Sequence, residues 1–193
     1  MLDNLKKYDI ILASNSPRRR ELLKGLGVEF RATSLPDIDE SYPDGLKGGE
    51  IPAFISKQKA SSYKEFMQDN TLLITADTIV WAGDKQFGKP VDAGDAKRML
   101  NDLSGNTHVV YTAVTISTKS IEKTFIASSE VKFATLTNDE IDYYVKNFAP
   151  MDKAGAYGIQ EWIGYVGVES INGSYFNVMG LPIQRLYKEL KEL

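Results

Sequence analysis

Apolar and polar positions along this chain follow two rhythms, one suited to strands and one to helices. Ile10-Ile11-Leu12 is a short apolar run bounded by small polar residues, the pattern of a buried strand. Ser16-Pro17 reads as an N-cap with proline at the first helical position, opening a helix that stops near Gly25 and Gly27. Val28 to Ser34 resumes as a strand, and Leu35 to Gly49 is a Pro/Gly/Asp-rich loop holding Asp37, Asp39 and Glu40. Ile51 to Met67 predicts a helix with Ile51, Phe54, Ile55, Ser62, Tyr63 and Phe66 on one face. Thr71 to Gly83 predicts a core strand, with Gly83-Asp84 as a hairpin turn.

Asp92 to Leu103 is an amphipathic helix with Ala96, Met99, Leu100 and Leu103 inward, stopped at Gly105. Val109 to Ser117 and Thr124 to Leu136 are rich in β-branched residues and suit an antiparallel meander. Thr137-Asn138-Asp139-Glu140 is a capping box for a helix that turns Ile141, Tyr144, Val145 and Phe148 inward and ends at Ala149-Pro150. Tyr165 to Ile171, the Asn172-Gly173 turn and Tyr175 to Met179 predict a hairpin. Gly180-Leu181-Pro182 then introduces a closing helix with Ile183, Leu186, Tyr187 and Leu190 on one face.

Composition narrows the classes. With 193 residues, 42% hydrophobic and 25% charged, the chain can bury a substantial core in one domain or two small lobes. A net charge of −3 argues against general nucleic-acid binding, which needs a basic surface. Zero cysteines exclude disulfides, thiolate catalysis and Cys-type zinc sites. The polar start and the lack of any apolar run near 20 residues argue against a signal peptide and a membrane span, so the expected location is cytoplasmic. The single histidine, His108, stands at a strand start and reads as structural; its solitude removes a His-based triad or His-rich metal site.

Three stretches carry chemistry. Arg18, Arg19 and Arg20 occupy a helix's first turn, where free N–H groups already gather positive charge and misplaced cations cost roughly 0.3–1 kcal/mol each. A bound phosphate would reverse that cost; arginines pointing to solvent are the plainer reading, weaker for three than for one. Lys59 falls among inward side chains four residues from Ile55 and Tyr63, and either meets an anion or snorkels at the edge of the face. Asp77 sits inside an apolar strand, where a carboxylate requires a partner, a hydrogen bond or a metal. Gly83 to Lys89 has P-loop spacing, but Pro90 stands where Ser or Thr should bind magnesium; only Lys89 survives, as a candidate phosphate contact. In Met151 to Gln160, two glycines and an aromatic allow backbone N–H groups to approach a ligand, or form an ordinary tight turn.

Taken together, Leu12-Ala13-Ser14-Asn15-Ser16-Pro17-Arg18-Arg19, Ala76-Asp77-Thr78, Gly88-Lys89-Pro90, Leu103-Ser104-Gly105, Met151 to Gln160 and Gly180-Leu181-Pro182 resemble the Maf family of nucleoside triphosphate pyrophosphatases. The resemblance runs in order from about Ile11 to Leu186. It implies an α/β chain of the Maf/inosine-triphosphatase-like fold: a long twisted mixed sheet and two α/β lobes forming a single domain around a central cleft. It implies hydrolysis of a nucleoside triphosphate to the monophosphate and pyrophosphate with a divalent metal cation, Mg²⁺ or Mn²⁺.

By position, the resemblance implies Asp77 as the base or metal ligand with Glu40 beside it, and Ser14, Arg18, Arg19, Lys59 and Lys89 as phosphate contacts. Arg18, Thr78 and Gln160 match the pattern of the family's dTTP/UTP pyrophosphatases, whereas the branch acting on 7-methyl-GTP carries Trp, Gln and Glu there. Glu161 and Trp162 depart from many relatives, and Arg20 has no assigned role. The chemistry is consistent: basic side chains match a polyphosphate, carboxylate oxygens suit Mg²⁺, and a Gln amide offers the donor and acceptor that a pyrimidine amide edge needs. A non-catalytic nucleotide-binding regulator of cell division is the alternative, and the sequence leaves a homodimer open. The expected partner is a nucleoside triphosphate, with no nucleic acid and no membrane.

Overall fold

The computed structural model describes residues 2–36 and 38–193; Asp37, one of the loop acids above, lies outside the described residues. In chain order the elements are β1 (Asp9–Ala13), α1 (Pro17–Lys24), β2 (Arg31–Thr33), α2 (Glu50–Ser62), β3 (Thr71–Ala82), β4 (Lys85–Phe87), α3 (Ala93–Leu103), β5 (Thr107–Ser117), β6 (Glu122–Phe133), α4 (Asn138–Phe148), α5 (Trp162–Gly167), β7 (Val168–Asn172), α6 (Tyr175–Met179) and α7 (Ile183–Lys191). Short 3₁₀ turns occupy Asp3–Leu5, Lys64–Phe66 and Ala154–Ala156.

The strands form one mixed sheet in the order β2-β1-β3-β5-β6-β7, with β4 paired to β3. β1 runs parallel to both β2 and β3, whereas β3–β4 and β6–β7 are antiparallel. Two compact units share these strands: unit 1 comprises Met1–Asp77, Thr112–Ala127 and Gly180–Leu193, and unit 2 comprises Thr78–Tyr111 and Ser128–Met179. Unit 1 packs Ala13, Ala60, Tyr63, Met67 and Leu73 together beside α2. Unit 2 has the larger cluster, in which Leu100, Leu103, Phe133 and Tyr144 are fully buried.

Most local expectations hold for identifiable reasons. Ser16 caps α1 with Pro17 at its first position, and Thr137 and Glu140 form the reciprocal capping box of α4. The inward residues expected of α3 are its buried ones. Gly83-Asp84 is a two-residue turn, because Ala82 pairs with Lys85, and β4 occupies the middle of the false P-loop.

Four expectations need correction. The strand expected over Val28 to Ser34 shrinks to Arg31–Thr33, the three residues that find partners on β1. α2 ends at Ser62 rather than Met67; the following 3₁₀ turn changes the phase, so Phe66 is exposed, and Phe54 and Ser62 also face outward. The strand expected from Thr124 to Leu136 runs from Glu122 to Phe133, because Leu136 N leaves the sheet to donate to Ser104 Oγ at 2.8 Å.

The hairpin expected over Tyr165 to Met179 does not form. β7 pairs with β6 instead, while Tyr175–Met179 turns helical. Ser174 starts that turn by accepting from Asn177 N, and buried Asn177 donates to Val110 O at 3.1 Å and Ser129 Oγ at 3.0 Å. Residues before β7 are helical too, since a Cβ on Gly164 would lie 1.8 Å from Ile159 O and only glycine admits that approach.

Candidate active site

The site residues of unit 1 gather where β1, α1, α2 and β3 meet. Parallel pairing puts Ala13 beside Thr75, so the chain leaving β1 emerges next to Ala76 and Asp77. The turn after β1 is held by Ser14 Oγ, which accepts from Ser16 N at 3.1 Å. Arg19 donates through Nε to Gly180 O at 2.7 Å and through Nη1 to Ala76 O at 2.9 Å, tying α1 to β3 and to the turn before α7. Arg20 donates to Ser14 O at 3.2 Å, a bracing role that the sequence did not suggest. Two of the three arginines therefore bind backbone carbonyls. Arg18 is half-buried on the same first turn. Burial pulls the Arg19 guanidinium below its ordinary pKa, and the fields of Asp77 and Glu40 oppose that shift.

α2 supplies the central cation. Thr75 Oγ1 donates to Ser56 O at 2.7 Å, fixing α2 against β3, and buried Ile55, Ala60 and Tyr63 set the helix rotation. Lys59 then reaches inward. Its Nζ lies 2.8 Å from Asp77 Oδ1 and 2.8 Å from Glu40 Oε1. The Lys59 and Asp77 side chains are each 13% exposed, whereas Glu40 is 46% exposed, so water reaches the cluster from the Glu40 side. The two readings of Lys59 resolve in favour of the anionic partner. Two carboxylates share one ammonium, and the charge of Arg19 also acts on both, so removing the lysine would strip the pair of its shared hydrogen-bonded cation.

The same geometry tests a divalent metal. Glu40 and Asp77 converge on one cationic atom and offer only oxygen donors, as Mg²⁺ and Mn²⁺ prefer. Among the described residues no group of three or more His, Cys, Asp or Glu could hold a metal. Mg²⁺ is ordinarily held by one or two carboxylates together with substrate phosphates, so the residues fit.

Thr78, Lys89 and Gln160 belong to unit 2. Thr78 is half-buried on β3 directly after Asp77, and Lys89 is exposed. The segment before Lys89 is stitched to the 151–160 loop, since Gly155 N donates to Gly88 O at 3.0 Å. Gly155 has φ +68°, and a Cβ there would stand 2.9 Å from Val80, so the expected close approach is to a core side chain. Gln160 is half-buried, and its Oε1 is buried with no hydrogen-bond partner. An unmet buried acceptor costs about 1–3 kcal/mol. Sequence reasoning missed the polar side chains behind this loop, Tyr144, Lys153 and Glu161; only the departure at Glu161 pointed to them.

His108 is structural, as its solitude suggested. It is buried, with Nε2 2.7 Å from Tyr157 Oη and its ring packed edge-on against Phe133. Burial lowers its pKa to about 4. No described helix is long and apolar enough to cross a membrane.

Comparison with known proteins agrees with this architecture. The chain is 60% identical over 193 residues to a Bacteroides fragilis protein named dTTP/UTP pyrophosphatase, covering 100% of both chains. It is 53% identical over 194 residues to a Porphyromonas gingivalis protein of the same name, covering 100% of this chain and 98% of the relative. Its fold is that of the solved Staphylococcus aureus Ham1 protein, at a TM-score of 0.50 and 18% identity over 94% of this chain and 99% of the other. The family described as Maf-like protein matches residues 9–193. Similar from end to end to proteins of that name and matched by the family over nearly its whole length, the chain belongs to the Maf-like protein family.

Proposed function

We propose that this chain hydrolyses dTTP and UTP to the nucleoside monophosphate and pyrophosphate. The observation that carries the reading is the joint pairing of Lys59 with Glu40 and Asp77, each at 2.8 Å, in a chain 53–60% identical to proteins named for that activity. A cation flanked by two acids suits a polyanionic substrate that arrives with its own counter-ion.

Glu40 and Asp77 would hold Mg²⁺ or Mn²⁺, which when bound supplies charge neutralisation on the phosphoryl oxygens. Lys59 has three N–H donors, two of which meet Asp77 and Glu40, and its third serves phosphate. Asp77 commits Oδ1 to Lys59, and its second oxygen is the acceptor for a proton from water attacking the α-phosphorus in line. Arg18 lies on the capped first turn of α1, where exposed N–H groups and a guanidinium favour the same anion. Arg19 contributes charge from a fixed position, because its hydrogen bonds to Ala76 and Gly180 hold it there. Lys89 adds an exposed cation, Ser14 a hydroxyl, and Thr78 and Gln160 the base contacts. Gln160 would give a donor to a pyrimidine carbonyl and accept from the ring N–H.

The test is a panel of nucleoside triphosphates with Mg²⁺ or Mn²⁺ and chromatographic identification of products. Monophosphate and pyrophosphate from dTTP and UTP are expected. Release of orthophosphate, or no turnover of any triphosphate, would overturn the reading, and binding without turnover would make the chain a nucleotide sensor.

A further inference from the structure

Gln160 stands on a tight turn whose two ends are held by one hydroxyl. Glu161 N donates to Gly158 O at 2.9 Å, closing the turn over Ile159 and Gln160. Gly158 N donates to Tyr144 Oη at 2.9 Å, and Tyr144 Oη donates to Glu161 Oε2. Glu161 Oε1 lies 3.1 Å from Lys153 Nζ, which also donates to Asp152 Oδ1 at 2.7 Å.

The arrangement is buried and leaves no slack. Tyr144 is fully buried on α4, and the Lys153 side chain is 8% exposed. Gly158 has an ordinary φ, so its glycine answers a demand for space: a Cβ there would stand 2.8 Å from the Glu161 carboxyl carbon and 3.0 Å from Lys153 Cε. The rim of the loop is thus shaped around an ion pair on one side and a phenol on the other.

We propose that Tyr144 and Glu161 are positioning residues for base selection, fixing the backbone on either side of Gln160 so that its amide meets the pyrimidine edge in one orientation. The inference rests on the reading of Gln160 as the base contact. Both act through the backbone that carries Gln160. Tyr144 and its bond to Gly158 N are buried, so water does not replace that hydrogen bond when the hydroxyl is removed. A turn that has lost this brace lets the Gln160 amide sample orientations that present either its oxygen or its nitrogen to the base. Discrimination between a uracil edge, which accepts at C4 and donates at N3, and a cytosine edge, which does the reverse, is then lost before catalytic power is.

The experiment measures kcat and KM for UTP and CTP, with melting temperature, in the wild type, Tyr144→Phe, Glu161→Gln, Glu161→Leu, Gln160→Ala and the double variant Gln160→Ala/Tyr144→Phe. Tyr144→Phe and Glu161→Leu are expected to shrink the UTP:CTP ratio of kcat/KM about five- to twentyfold, mainly by raising KM for UTP. Glu161→Gln keeps an acceptor for the Tyr144 hydroxyl and is expected to retain most of the ratio. Adding Tyr144→Phe to Gln160→Ala should change the ratio no further, since the residue being positioned is gone. If Gln160→Ala shrinks the ratio and both Tyr144→Phe and Glu161→Leu preserve it in folded protein, the positioning role is overturned. An unchanged ratio in Gln160→Ala itself would remove the base-contact reading beneath it. Should Tyr144→Phe fail to fold, the Glu161 pair decides alone.

Discussion

Helices α1 and α4 begin alike and diverge within a turn. Each is capped by a hydroxyl, Ser16 in one and Thr137 in the other. α4 then carries Asp139 and Glu140 in its first turn and completes a reciprocal capping box, the arrangement that a helix dipole favours. α1 has no acid in its first turn and bears three arginines there. The same contrast extends to the buried polar groups of each unit. In unit 2, His108 and Tyr144 are enclosed and hydrogen-bonded within the core, whereas in unit 1 the cluster of Lys59, Glu40 and Asp77 is open to water at Glu40. Tyr144 spends its hydroxyl on holding loop backbone in place through Gly158 N, whereas the Glu40 end of the unit 1 cluster stays open to water.

Removing the acid at the centre of unit 1 should have the largest effect. Asp77→Asn is expected to lower kcat about a hundred- to ten-thousandfold, the scale of general-base catalysis, with little change in melting temperature. A loss of turnover matched by a loss of stability would erase the contrast between the units.

The buried histidine of unit 2 should respond to pH instead. Folded His108 takes up a proton only near pH 4, whereas an unfolded histidine does so near 6.5, so the unfolded chain binds more protons in between. Its contribution is therefore complete above pH 6.5 and declines as pH falls towards 4, by up to about 3 kcal/mol. Denaturation of wild type and His108→Gln between pH 4 and 7.5 should diverge in slope over that window. Parallel curves would mean that His108 is readily solvated.

Lys59→Met sits between these extremes, because it should damage both activity and stability. Leaving Glu40 and Asp77 without their shared cation is expected to cost about 1–3 kcal/mol, less than a fully buried pair because Glu40 is nearly half exposed. Added Mg²⁺ should restore part of the melting temperature if the carboxylates bind it, and no response would mean that they do not.

The smallest effects return to the two helices. Thr137→Ala is expected to cost about 1 kcal/mol by removing the α4 cap while leaving kcat/KM unaltered. Arg18→Gln should move stability by less than about 1 kcal/mol, the scale of a helix-dipole charge, yet raise KM for the triphosphate at least several-fold. Equal behaviour of the two variants would mean that the arginine turn is ordinary surface.

Local physics was legible in the sequence wherever one stretch contained its own explanation. The caps of α1 and α4, the buried stripe of α3 and the Gly83-Asp84 turn depend on residues within a few positions of one another. So does the oddity of Asp77, a carboxylate in an apolar run. What the sequence could not decide was which distant group would answer each demand. Lys59 could have paired or snorkelled; α2, held to β3 through Thr75, delivers it to an acid 18 residues away and another in a loop. Arg19 suggested phosphate; parallel pairing of β1 with β3 also brings Ala76 O within reach, and the guanidinium donates to it. Tyr175 to Met179 had strand composition and became helix, because Asn177 found buried partners on Val110 and Ser129. Propensity acts over neighbouring residues and is weak, a few tenths of a kcal/mol per position, whereas an unmet buried polar group costs about 1–3 kcal/mol. Where the two conflicted, the tertiary partner prevailed.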